Sequence, residues 1–183
     1  MRILLLCSSF DSLSQQILVA LDERDYEVSV ELDINDANTA DAVLRFQPDL
    51  IVAPNLRRRI TMSVWSNGTC FVVRSGTVGD RGPSPLDWAI LSGHSTWGVT
   101  IHQATDELDA GTVWASREFD MRAATKASIY RQEVAHHAVD ALIEAIGRFQ
   151  SGRGAPLAES RHVDVGWRDA TRQQDRAIDW DRD

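Results

Sequence analysis

Arg2-Ile3-Leu4-Leu5-Leu6-Cys7, Glu27-Val28-Ser29-Val30-Glu31-Leu32-Asp33-Ile34 and Asp49-Leu50-Ile51-Val52-Ala53 are the runs that decide the fold of this 183-residue chain. The first and third are almost wholly apolar, as in a strand covered on both faces. The second alternates Val28, Val30 and Leu32 with Ser29, Glu31 and Asp33, the pattern of a half-buried strand. Between the first two, Ser8–Ser14 is a polar connector, and Ser12 or Ser14 is placed to cap a helix over Gln15–Arg24. Between the second and third, Asn35 or Asn38 opens a helix over Thr39–Phe46 that Pro48 breaks. Thr69–Val73 supplies a fourth apolar strand. Repeated strand–helix alternation predicts an α/β fold: an open, mostly parallel twisted sheet with helices on both faces.

Outward from that half the pattern changes. Pro85–Leu91 reads as a short helix, and Gly98–Gln103 and Thr112–Phe119 as strands with Gly111 in their turn, hence an antiparallel hairpin near residues 98–119. Thr125 caps a long helix to Phe149, in which Tyr130, Val134, Ala138, Leu142, Ile146 and Phe149 share one face. Ser151–Pro156 is a linker by composition, and Arg161–Asp183 is polar and charge-dense. The expected organisation is an α/β domain over 1–150. A linker and polar C-terminal extension follow over 151–183, packed on the surface or leading into a second domain.

Composition narrows the function. A formal charge of −8 argues against a general nucleic-acid or lipid-surface role, since both favour basic patches. Cys7 and Cys70 each lie in an apolar run and are expected buried and reduced; with no signal peptide or membrane-length apolar stretch, the expected address is the cytoplasm. His136-His137 lacks carboxylate or Cys partners at metal spacing, so no metal is expected. No phosphate-loop pattern appears, and no G-x-G-x-x-G follows the first strand.

In an open parallel sheet, ligands sit outside the carboxyl ends of the strands. Three connectors are read as leaving such ends: Pro54–Thr61, Arg74–Ser84 and Thr105–Ala110. They carry the run Arg57-Arg58-Arg59, a Gly/Pro-rich loop from Arg74 to Pro83, and the acids Asp106, Glu107 and Asp109.

Gly98-Val99-Thr100-Ile101-His102, followed by Asp106-Glu107-Leu108-Asp109-Ala110-Gly111, resembles the GVTVH…D-x-G segment of the folate-dependent formyltransferases. Gly82 and then Trp88-Ala89-Ile90 stand where that family has its N-x-H-P-S-L-L-P loop and the helix after it. Gly79-Asp80-Arg81-Gly82-Pro83-Ser84, Leu86-Asp87-Trp88-Ala89-Ile90-Leu91, Val113-Trp114-Ala115-Ser116, Arg122-Ala123-Ala124-Thr125-Lys126 and Asp175-Arg176-Ala177-Ile178-Asp179-Trp180 are similar to the N-terminal domain of hydrogenase maturation factors of the HypX type. The resemblance spans nearly the whole chain and implies a Rossmann-like domain using 10-formyltetrahydrofolate as formyl donor. It also implies a small-molecule or carrier-bound acceptor, such as the thiol of coenzyme A, handled by a second domain or a partner protein.

The resemblance further implies a site. The family's Asp falls on Asp109. His102, on the strand before it, reads either as a packed histidine making structural hydrogen bonds or as a catalytic helper to Asp109. The family's Asn and His positions hold Val72 and Arg74. Val72 offers no side-chain hydrogen bond. Arg74 is a permanent cation with five donors that holds an oxyanion or a carboxylate but does not shuttle a proton. A salt bridge from Arg74 to Asp109 is the structural alternative to a ligand contact. The folate would lie against Leu56, Arg57, Arg58, Arg59 and Ile60 and against Thr105, Asp106, Glu107 and Leu108, with an arginine of the run pairing its glutamate carboxylates. Three readings therefore stand: formyl transfer or release, a folate-binding or regulatory domain without turnover, and a maturation or scaffold partner.

Overall fold

The computed structural model describes residues 1–54, 56–66, 68–155 and 167–176. Its strands are β1 (Arg2–Cys7), β2 (Glu27–Leu32), β3 (Leu50–Pro54), β4 (Cys70–Arg74), β5 (Thr96–Gln103) and β6 (Val113–Asp120). They form one sheet in the order β2-β1-β3-β4-β5-β6. The first four strands run parallel, in the alternation read from the sequence. The helices are α1 (Ser12–Asp22), α2 (Asp36–Phe46), α3 (Met62–Trp65), α4 (Pro85–Leu91), α5 (Lys126–Ile129) and α6 (Ala135–Gln150). A π-helical turn, Tyr130–Val134, joins α5 to α6 where the sequence predicts one unbroken helix.

Local chemistry starts the helices. Asp11, rather than Ser12 or Ser14, caps α1: its carboxylate accepts from the Ser14 N–H at 3.0 Å. Asn35 caps α2 by accepting from the Asn38 N–H, and Gln47, in the left-handed region, ends it just before Pro48. α3 carries no side-chain cap and only one buried residue, Val64, so its four residues leave no periodic signal in the sequence.

Strand alternation sorts the core into two layers. Ile3, Leu5, Leu50, Val52, Phe71, Val73, Val99 and Ile101 pack with α1 and α6, where Phe71, Trp114 and Phe149 form an aromatic cluster. Leu4, Leu6, Ile51, Ala53 and Cys70 face the other way, against α2 and α3.

One expectation about direction fails. β5 pairs antiparallel with β4, in the register Arg74↔Thr100 and Val72↔His102, so antiparallel pairing extends beyond the β5–β6 hairpin. α4 spans only about 10 Å and does not carry the chain back along the sheet, so β5 enters beside the carboxyl end of β4. Residues 105–110 therefore leave the opposite end from the other two connectors. They return over the face that carries Val72, Arg74, Thr100 and His102.

Candidate functional site

Arg74, the last residue of β4, is the hub of that face. Its Nη1 donates to Asp109 Oδ2 at 2.8 Å; its Nη2 donates to Asp80 Oδ2 at 2.8 Å and to the Gly82 carbonyl at 2.7 Å. The salt bridge weighed from the sequence is thus present, and it is doubled by a carboxylate for which the sequence reading names no role. Asp80 has 1% of its side chain exposed and also accepts from Arg168 Nη2 at 3.0 Å. Charges this deeply placed persist only when paired, and losing one partner of such a pair costs about 3–5 kcal/mol.

Asp109 is gripped from two sides. Besides Arg74, the Gly82 backbone N–H donates to Oδ2 at 3.0 Å. Its φ of 56° lies in the left-handed region, which costs a non-glycine residue about 1 kcal/mol or more and clusters at functional sites. Oδ1 faces His102 Nε2 at 3.9 Å. Burial, the dominant cause, lowers the His102 pKa to about 4, and the Arg74 charge adds to that effect while Asp109 opposes it. The imidazole is therefore neutral at physiological pH, and its approach to Asp109 is not an ion pair there.

Asp109 borders three cavities. One, of about 300 Å³, is lined by Arg74, Thr77, Asp80, Arg81, Thr100 and His102. A second, of about 90 Å³, lies among Leu56, Arg58, Arg59, Ile60, Thr105 and Leu108. The third, of about 610 Å³, is lined by Arg57, Val72, Arg74, Lys126, Tyr130 and Arg176.

The two segments read as a folate wall thus converge, with exceptions inside each. Leu56, Ile60, Thr105 and Leu108 share the small cavity with Val72 and His102, and Glu107 lines it while pairing with Arg81 at 2.7 Å. Asp106 is exposed and lines none of the three cavities. Within the arginine run, Arg58 is drawn to Asp33 at 3.3 Å and to Asp36, and the Arg57 N–H donates to Ser8 Oγ at 2.8 Å. Arg59 is exposed beside the small cavity.

Three participants carry no role in the sequence reading: Asp80, Gly82 and Arg168. Asp80 and Gly82 stand in the Gly/Pro-rich loop, where an acid between glycines was the available signal. Arg168 lies about fifty residues beyond the end of the hairpin and left none. The histidine pair on α6 differs slightly from its reading, since His136 Nε2 faces Asp140 at 3.5 Å, a carboxylate one turn on. Among the described residues no group of three His, Cys, Asp or Glu side chains is placed to hold a metal ion. Among those residues, too, no helix is long and apolar enough to cross a membrane.

This fold with this loop geometry defines a class: residues 18–146 match the family model described as formyl transferase, and the chain belongs to that family. It is 48% identical over 184 residues to hydrogenase maturation factor HoxX of Bradyrhizobium diazoefficiens, an alignment covering 100% of this chain and 32% of that protein. The crystal structure of HypX from Aquifex aeolicus in complex with tetrahydrofolic acid superposes with a TM-score of 0.94 at 45% identity, again over 100% of this chain and 32% of that one. Methionyl-tRNA formyltransferase from Clostridium thermocellum, with a TM-score of 0.75 at 19% identity, shares the fold. The chain spans about a third of the length of the two hydrogenase maturation factors.

Proposed function

We propose that this chain binds 10-formyltetrahydrofolate and transfers or releases its formyl group at Asp109. The observation that carries the reading is the gripped carboxylate. Oδ2 is held by Arg74 and the Gly82 N–H, while Oδ1 is turned toward His102 where three cavities meet. In this reading the pterin lies against the Leu56–Ile60 and Thr105–Leu108 segments that line the small cavity, and the complex of the HypX relative with tetrahydrofolic acid supports a folate ligand. The cavity of about 610 Å³ that also borders Asp109 suits the acceptor, a small molecule or a carrier thiol handled with a second domain or partner protein. Buried thiols at Cys7 and Cys70 suit the reducing cytoplasm.

In this reading the acceptor's nucleophile bonds to the formyl carbon, and the carbonyl electron pair moves onto oxygen. Asp109 Oδ1 takes the proton that the nucleophile loses. Collapse then breaks the bond from carbon to N10 of the folate, which receives that proton back. With water as acceptor the product is formate. Arg74 fixes the carboxylate and supplies positive potential beside the forming oxyanion, and neutral His102 orients Oδ1.

A second reading is favoured by one observation. Arg74 cannot lose a proton, and its Nη2 is already committed to Asp80 and Gly82, which suits a folate-binding domain without turnover. Calorimetry with 5-formyltetrahydrofolate tests the binding that both readings share; no heat at millimolar ligand removes both and leaves the scaffold role. Turnover of 10-formyltetrahydrofolate then separates them. Formyl transfer predicts a wild-type rate that Asp109→Ala lowers by about 100-fold or more. A silent wild type that gains activity as Arg74→His favours the binding domain, and wild-type turnover unaffected by Asp109→Ala removes the assignment of Asp109.

A further inference from the structure

We propose that Arg168 is a positioning residue for the Arg74–Asp109 pair, so that the segment 167–176 is a working wall of the site rather than a surface extension. The role in turnover rests on the function proposed above; the positioning itself does not. Three observations carry it.

The first is charge. Asp80 is shared by Arg74 and Arg168, one on each carboxylate oxygen, so the partly buried set Asp109–Arg74–Asp80–Arg168, with Asp80 the deepest, pairs two anions with two cations. Without Arg168, two carboxylates compete for one guanidinium, and the more deeply buried Asp80 draws Arg74 away from Asp109.

The second is backbone. The Arg168 N–H donates to the Arg81 carbonyl at 3.0 Å, and Arg81 bridges Trp167. The Arg168 carbonyl lies so close behind Gly82 that a Cβ there would stand 2.0 Å from it. Gly82 has a φ of +102°, open to glycine and little else. This same residue presents its N–H to Asp109 and its carbonyl to Arg74. Arg168 therefore backs both groups that grip the site.

The third is anchorage. The Arg168 guanidinium lies over the Trp97 ring at 5.9 Å. Trp88 Nε1 donates to the Asp169 carbonyl at 2.8 Å, the Thr171 N–H reaches Ser84 Oγ at 3.4 Å, and Arg176 pairs with Asp87 at 3.4 Å. The segment is tied along its length to the loop and helix that follow β4.

The test compares the full chain with Arg168→Ala, and with Arg168→Gln, which keeps most of the side chain's length should alanine fail to fold. Without folate, Arg168→Ala is expected to speed hydrogen exchange of the Gly82 amide by about tenfold and to move the Arg74 side-chain N–H signals. The amides of Leu4 and Leu5 in β1 stay as they are and report an intact fold. With folate donor, kcat falls by about tenfold while KM stays within about twofold, and added guanidinium ion restores rate, which a purely structural residue would not allow. Unchanged Gly82 and Arg74 signals in both variants overturn the proposal, whatever the turnover. If those signals change while the wild type neither binds nor turns over folate, the positioning role stands and the proposed function falls.

Discussion

At the scale of the residue, the site turns on a substitution of chemistry. Arg74 stands where the formyltransferase resemblance implies a titrating histidine, and its guanidinium is spent on Asp80, Asp109 and the Gly82 carbonyl. The cation is therefore a clamp whose product is a fixed Asp109. Asp109 and Arg74 were legible as a pair because both follow from motif positions; their third and fourth partners were not, since Asp80 and Arg168 meet only after the chain folds. Gly82 is where this clamp is most exposed to mutation. Gly82→Ala forces a side chain into a positive φ and against the Arg168 carbonyl. It is expected to lower stability by about 1–3 kcal/mol, seen as a fall in the urea midpoint with an unchanged slope.

At the scale of the element, two helix starts are coupled through one carboxylate. Asp11 caps α1 and also accepts from the Tyr130 hydroxyl at 3.1 Å, tying the π-helical turn to the far end of the first connector. Burial, then the Asp11 charge, raises the Tyr130 pKa, so the phenol stays protonated and keeps donating. Asp11→Ala is expected to cost about 2 kcal/mol, one part from the lost cap and one from the lost hydrogen bond to the half-buried Tyr130 hydroxyl. Asp11→Asn retains a capping oxygen and loses less; urea unfolding of both measures the difference. The helices themselves were readable from periodicity. The caps shifted by a residue or more because aspartate and serine are both good N-caps, and backbone geometry chooses between them. The π-helical turn was unreadable, as Tyr130 and Val134 keep a helical spacing on either side of it.

At the scale of the whole molecule, His102 links stability to pH. Its folded pKa of about 4 lies below the ordinary value near 6.5, so the unfolded chain takes up the proton first as pH falls. The stability that neutral His102 contributes is complete above about pH 6.5 and is lost as pH falls toward 4, by up to about 3 kcal/mol. Urea unfolding across that window is expected to show this slope in the wild type and a reduced one in His102→Gln. The strands, most of the helices and the class of the sheet were largely contained in the sequence, because strand alternation and helix periodicity are local and each strand's faces declare themselves; the strand order was not. Membership in the formyl transferase family was legible too, since it lives in the short segment Gly98–Gly111 and the loop around Gly82. Only the tertiary structure decided the direction of β5, the return of residues 105–110 across the sheet face, and the arrival of Arg168 behind Gly82. Those depend on where the chain turns and on which buried charges find partners, and both are settled by long-range packing rather than by any local pattern.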